Sequence, residues 1–275
     1  MREKRKQIAQ ETIAILQQGF YTAPSGECVD IRNMQNHTES GSHLITPEQS
    51  DQLVKSLSPP ADAHVADYKV KNESIIKAII DNANQGESIA ALNFASAKNP
   101  GGGFLGGAMA QEEALAYSSG LYNTQIRHIA YYEKNRTCGT MTYTDYAIYS
   151  PDVPFFRDAD FNLLEVPKTC SVLTLPAVNM DQVRKNGENA VKAKLIMKNR
   201  MRIALAIFAH EMNSTILLGA YGCGVFGNDP YDVAWWWNEL LFDDKLSRFF
   251  KRVLFVVLDK PDGPNIKAFE AAFGK

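Results

Sequence analysis

With 275 residues, 45% of them hydrophobic and 22% charged, the chain is long enough to bury a large core and fits one globular domain or a core with an extension. A formal net charge of −2 leaves no basic footprint, so DNA binding is not expected and any nucleotide-like ligand has to be gripped locally. The charged start Met1-Arg-Glu-Lys-Arg-Lys-Gln is unlike a signal peptide, and no segment reaches the roughly 20 apolar residues of a membrane span; a cytoplasmic protein with no membrane partner is expected.

Residues 2 to 18 carry Ile8, Ile13, Ala14 and Leu16 at helical spacing and predict an amphipathic helix closed by Gly19. Ser25-Gly26 then turns a hairpin between Phe20-Tyr21 and Cys28-Val29, and Thr46-Pro47-Glu48 opens a helix with Thr46 as cap. A strand around Ala63 to Val70, a helix from Ser74 to Asn84 and a buried strand from Ser88 to Ala95 follow. Gln111 to Arg127 predicts one helix. Further strands are expected at Tyr146 to Ser150, Ser171 to Pro176, Thr215 to Ala220 and Arg252 to Leu258, and helices at Asn189 to His210, Tyr231 to Phe250 and Asn265 to Phe273. Pro151 to Lys168, with Pro151, Pro154 and Pro167 around Phe155-Phe156, is expected to be a long ordered loop. The alternation predicts an α/β fold with a sheet between helix layers, the core running from 61 to 275 and residues 1 to 60 packing on it as an extension.

Two glycine loops carry the chemistry. The first, Asn99-Pro-Gly101-Gly102-Gly103, links the Ser88 to Ala95 strand to the helix that opens with Gln111-Glu112-Glu113. Glycines without a Cβ allow close approach, reach φ > 0 at little cost, and can turn their N–H groups onto an anion or a sugar oxygen. The second, Gly219-Ala-Tyr-Gly222-Cys223-Gly224-Val225-Phe226-Gly227, follows another apolar strand and precedes a helix with Asn228 or Asp229 as cap and Pro230 in its first turn. Loop amides and a helix dipole together make a diphosphate cradle, over which Phe226 can shield a ligand ring. Neither loop has the spacing of a P-loop or of a Rossmann fingerprint.

Gly101 to Gly103, a spacer and Gln111-Glu112-Glu113 resemble the signature of poly(ADP-ribose) glycohydrolases, and Leu92-Asn-Phe-Ala-Ser-Ala-Lys-Asn-Pro100 and Gly219 to Gly227 are similar to the compact bacterial form of that family. The resemblance covers most of residues 60 to 275 and implies a three-layer α-β-α macrodomain with a mixed central sheet and an N-terminal accessory segment. It implies hydrolysis of the ribose-ribose O-glycosidic bond of poly(ADP-ribose), with ADP-ribose as product and no cofactor or metal. It makes Glu113 the catalytic acid/base, assigns ribose positioning to Glu112 and Gln111, and wraps the diphosphate in Gly222 to Gly227 with Phe226 against the ligand; Asn99 and Gly101 to Gly103 complete the substrate site.

Elementary geometry agrees with a single acid. Neighbouring residues of a helix point about 100° apart, so Glu112 and Glu113 are not expected to flank one bond as a two-carboxylate glycosidase does. Glu113 would protonate the leaving oxygen and then, as carboxylate, activate water. Burial and Glu112 favour a proton on Glu113 while the helix N-terminus opposes it, a contest left open by the residues alone. Blander readings stand beside these: two glutamates at a helix start complement the macrodipole, glycine runs are simple turns, Cys223 without a helper His is a packed thiol, and the five histidines are structural. Four cysteines without a C-x-x-C pair point to free thiols, and Trp235 to Trp237 to a helix divided between core and surface. Two other functions compete: removal of single ADP-ribose units from an ADP-ribosylated protein, and non-catalytic ADP-ribose binding.

Overall fold

The computed structural model describes residues 1–61, 65–83 and 86–274. In chain order its elements are α1 (Arg2–Gln18), β1 (Phe20–Thr22), β2 (Cys28–Asp30), α2 (Arg32–Gly41), β3 (His43–Ile45), α3 (Pro47–Ser56), β4 (Asp67–Lys71), α4 (Ile75–Asn82) and β5 (Ile89–Ala95). Then come a 3-10 turn (Phe104–Gly106), α5 (Gln111–Ser118), α6 (Leu121–Arg127), α7 (Ile129–Thr137), β6 (Ala147–Arg157), β7 (Leu163–Pro176), α8 (Met180–Lys185), α9 (Ala190–His210) and β8 (Thr215–Leu218). The chain ends with α10 (Pro230–Asn238), β9 (Arg252–Val256) and α11 (Pro264–Phe273). Ala63 and His64, at the start of one predicted strand, and Asn84, at the end of a predicted helix, lie outside the described residues.

Seven strands form one mixed sheet in the order β3-β6-β7-β5-β8-β9-β4, antiparallel across β3, β6 and β7 and parallel from β7 onward. The period of two along each strand builds both layers. Ala90 and Leu92 of β5 join Leu173, Leu175, Ile216 and Phe255 under α9, α10 and α11, whereas Ile89 and Ala91 join Val172, Leu217 and Leu254 under α4 and α5. This is the expected three-layer arrangement. Charged Asp67, Lys69 and Lys71 mark β4 as an edge strand, and the opposite edge, β3, is only three residues long.

Caps behave as their residue types require. Gly19 closes α1 at φ 80, Thr46 and Gln49 form a reciprocal capping box on α3, and Ser74 accepts from the Lys77 N–H. Trp237 is fully buried while Trp235 is exposed, and all four cysteines are free thiols.

The helix expected from Tyr231 to Phe250 ends at Asn238 and gives way to a π-helical turn (Glu239–Asp243) and a 3-10 turn (Leu246–Phe249). Two further expectations fail for tertiary reasons. The single helix from Gln111 to Arg127 is two helices, because Ser119 is extended and bridges Phe155 while the Gly120 N–H donates to the Pro154 carbonyl at 3.0 Å. A Cβ on Gly120 would displace the buried side-chain amide of Gln35, which packs against the break. The proline-rich run is not a loop but the arm of the β6-β7 hairpin. Its prolines are tolerated because β3 pairs β6 only as far as Tyr149, and Pro151 sits in a register shift. The arm carries Phe156 into a cluster with Ile15, Leu16, Tyr21 and Ile31, and Leu164 accepts from the Tyr21 hydroxyl at 2.8 Å. Within the first 60 residues, α1 and the β1-β2 hairpin thus pack outside the sheet while β3 joins it.

Candidate active site

The two glycine loops leave the C-terminal ends of adjacent parallel strands, β5 and β8, the sheet edge where α/β folds keep their ligands. Phe94 of β5 packs on Tyr221 of the second loop with ring centroids 5.5 Å apart. Both loops therefore stand side by side at the same end of the sheet.

In the first loop the glycine N–H groups are already used. Gly101 donates to Gln125 Oε1 at 2.9 Å, Gly102 to the Asn99 carbonyl at 3.0 Å, and Gly103 to Glu113 Oε1 at 2.8 Å. The expected anion-binding role of these amides is corrected accordingly. The glycines serve space instead: at Gly102, with φ +59, a Cβ would strike Glu113 Oε1 and lie 3.0 Å from Glu112 Oε2. Asn99 is exposed, with its N–H on Ser96 Oγ at 3.1 Å.

The carboxyl groups consequently meet at one point although their Cα positions diverge. Adjacent helical positions fix Cβ directions only; at the first turn of α5 both long side chains fold back over Gly102. Their environments differ. Glu112, 3% exposed, accepts from the Ser96 N–H at 2.7 Å, Gln125 Nε2 at 3.0 Å and Asn93 Nδ2 at 3.3 Å. Burial outweighs these donors and pushes its carboxyl up to about 8, with a smaller contribution from the Glu113 charge. Glu113, 9% exposed, has only the Gly103 amide as a hydrogen-bond partner among the described residues.

Because the folded chain holds this proton more tightly than the unfolded one, the Glu112 contribution to stability is complete at acid pH and is lost as pH rises to about 8. Urea midpoints are expected to fall across that window, and Glu112→Gln to flatten the fall. An unchanged slope in the variant would refute the assignment.

Gln111 does not turn its amide into the cleft. It accepts from the Phe94 N–H at 2.9 Å and donates to the Leu92 carbonyl at 2.8 Å, continuing the β5 ladder beyond Ala91, the last residue that pairs with β8. Its side chain thereby locks the start of α5 to the sheet, which a helix of eight residues needs, since isolated helices shorter than ~12 residues are marginal.

The second loop is open to a ligand. Among the described residues, the N–H groups of Gly222, Gly224, Val225 and Phe226 make no hydrogen bond within the chain, and Gly224 and Val225 are exposed. Gly222, at φ +72, and Gly227, at φ +64, shape the turn, and a Cβ on Gly222 would hit Asn228 and Ala177. Asn228 is buried and donates to the Val178 and Gly222 carbonyls at 2.8 and 3.0 Å, while Asp229 caps α10 at the Tyr231 N–H; the choice between them is thus resolved. Phe226 is half-buried beside Tyr143, ring centroids 6.1 Å apart. Burial raises the Cys223 thiol well above its ordinary range, which disfavours the thiolate. Among the described residues no group of three or more His, Cys, Asp or Glu is arranged to hold a metal ion, and no helix is long and apolar enough to cross a membrane.

Four supporting residues escaped the sequence reading. Gln125 ties Gly101 to Glu112, Asn93 and Thr174 back Glu112 from β5 and β7, and fully buried Arg200 joins the Thr142 and Pro176 carbonyls to Asp145, fixing the segment that carries Tyr143. Asn93 offered a signal, a polar residue inside an apolar strand. Arg200 offered none, because an arginine in a helix ordinarily lies on the solvent face.

Comparison with known proteins agrees with this geometry. The model of the family described as microbial-type PARG, catalytic domain, matches residues 9–158, a span that includes the first glycine loop and both glutamates. The X-ray structure of poly(ADP-ribose) glycohydrolase (PARG) from Thermomonospora curvata is 38% identical over 98% of this chain and 100% of its own, with a TM-score of 0.94. A structure of that protein bound to the inhibitor ADP-HPD, 38% identical over 98% of this chain and 100% of its own, has a TM-score of 0.90. The Deinococcus radiodurans PARG in complex with ADP-ribose is 37% identical over 86% of this chain and 96% of its own, with a TM-score of 0.81. Comparison with curated proteins gave no match. With the family model spanning more than half of its length, this chain belongs to the microbial-type poly(ADP-ribose) glycohydrolase family.

Proposed function

We propose that the chain hydrolyses the ribose-ribose O-glycosidic bond of poly(ADP-ribose) and releases ADP-ribose, with Glu113 as the one acid/base. The observation that carries this reading is a carboxyl-lined loop and an open-amide loop side by side at one end of the sheet. The free N–H groups of Gly222, Gly224, Val225 and Phe226 hold the diphosphate of the terminal unit, and the ring of Phe226 covers its ribose. Glu113, held by the Gly103 amide, passes a proton to the departing ribose oxygen as the C1–O bond breaks. The electron pair stays with that oxygen, and the diphosphate stabilises the oxocarbenium ion left behind. Glu113, now carboxylate, takes a proton from water as the water oxygen bonds to the anomeric carbon.

Glu112 does not supply a second carboxylate. Its lone pairs are occupied by three donors and it keeps a proton near neutral pH, so the acid pair enters the reaction with a proton stored beside Glu113. Gln111 and Gln125 position the pair, and the first 60 residues serve as an extension that braces the catalytic core. Incubation with labelled polymer tests the reading: ADP-ribose release supports it. Turnover of mono-ADP-ribosylated protein alone, or tight ADP-ribose binding without any turnover, replaces it by the corresponding rival.

A further inference from the structure

Against a net charge of −2, the first turn of α1 concentrates Arg2, Lys4, Arg5 and Lys6 around a single acid, Glu3. Glu3 pairs with Lys6 at 2.7 Å, and no ion pair among the described residues takes up Arg2, Lys4 or Arg5. These cations sit at the catalytic loop. Arg2 Nε donates to the Gly106 carbonyl and Arg5 Nε to the Gly107 carbonyl, each at 2.9 Å, and the Gly107 Cα is so close to the Arg2 backbone that no Cβ fits. The next residue, Ala108, packs on Gly103, whose amide holds Glu113. Using Nε for the loop leaves the outer edge of the Arg2 guanidinium free to form a bidentate contact with an anion.

The direction of the substrate gives these cations a use. Gly103, whose amide holds Glu113, and Gly106 and Gly107, held by Arg2 and Arg5, belong to one loop, so with the terminal diphosphate on the open amides beyond β8 these cations stand on the Glu113 side, where the departing unit is released. That unit brings its own dianionic diphosphate. We propose that Arg2, with Arg5 one helical turn further on, forms a second subsite that holds the diphosphate of the penultimate ADP-ribose, so that the enzyme grips two consecutive units of the polymer. The proposal rests on the reading of the cleft given above. It explains how a chain with no diffuse positive field selects a polyanion: the charge is placed where the departing unit emerges.

The test compares polymer with ADP-ribose, which fills the terminal subsite only. In the full-length protein, Arg2→Glu combined with Arg5→Glu is expected to raise KM for long poly(ADP-ribose) about tenfold and to flatten its rise with salt, while the ADP-ribose Kd changes less than about twofold. Arg2→Lys, which keeps the charge but loses both the bidentate edge and the Nε bond to Gly106, is expected to give a KM between those of the wild type and the double variant. An unchanged KM in the double variant overturns the subsite, as does a parallel loss of ADP-ribose affinity, which would mean that α1 only braces the loop. Polymer affinity measured in a Glu113→Gln background makes the same comparison without turnover. Absence of hydrolysis by the wild-type chain would therefore count against the activity and leave the subsite to be judged on binding.

Discussion

Glu113→Gln is expected to lower kcat on poly(ADP-ribose) by about 10³-fold, the scale of a lost general acid that also serves as the base. The substitution keeps the side-chain length, and its carbonyl oxygen still accepts the Gly103 N–H, so the loop stays in place. Affinity for ADP-ribose is expected to remain within about threefold, because the proposed diphosphate site is on the other loop and the change removes only transition-state chemistry. Single-turnover kinetics with calorimetry on the same preparation separates the two. A folded variant that retains a tenth or more of wild-type kcat would remove Glu113 from the mechanism.

Gly102→Ala should come close to that loss without touching an ionisable group. The new methyl occupies the point on which both carboxyl groups close, and at φ +59 an L-residue adds strain of about 1–2 kcal/mol. Displacing Glu113 by about 1 Å is enough for a loss of about 10²-fold in kcat. Stability is expected to drop by about 1–3 kcal/mol, because Glu112 has to keep its three donors while yielding room. Gly139→Ala provides the contrast, since nothing lies within 4 Å of its Cβ position and its φ is not positive. Thermal melts and initial rates on the two proteins check this pair. If Gly102→Ala turns over polymer as the parent does, the glycine is a turn residue and not a seat for the acids.

Legibility followed the range of the interaction. Elements whose signal is local stood out in the residues: the Gly19 stop, the Ser25-Gly26 hairpin, the Thr46-Pro47 start and the apolar runs of β5, β8 and β9 all lie close to their expected places. Errors fell where distant chain intervened. The break at Ser119-Gly120 depends on Pro154 and Gln35, and the proline-rich arm became a hairpin through its own return strand and the α1 cluster packed on it.

The same division runs through the site. Residue types and spacing alone indicated two glycine loops at strand ends, a Gln-Glu-Glu run at a helix start and an α/β alternation, because backbone freedom and side-chain acidity are properties of each residue wherever it lies; their union in one catalytic scheme came from the resemblance to poly(ADP-ribose) glycohydrolases. Only tertiary structure decided what each loop does. Gln125, the Asn99 carbonyl and Glu113 consume the first set of amides and burial raises Glu112, while the second set is left without partners among the described residues. Burial and hydrogen-bond saturation depend on which residues from far along the chain arrive at the same point, and no local pattern encodes that meeting.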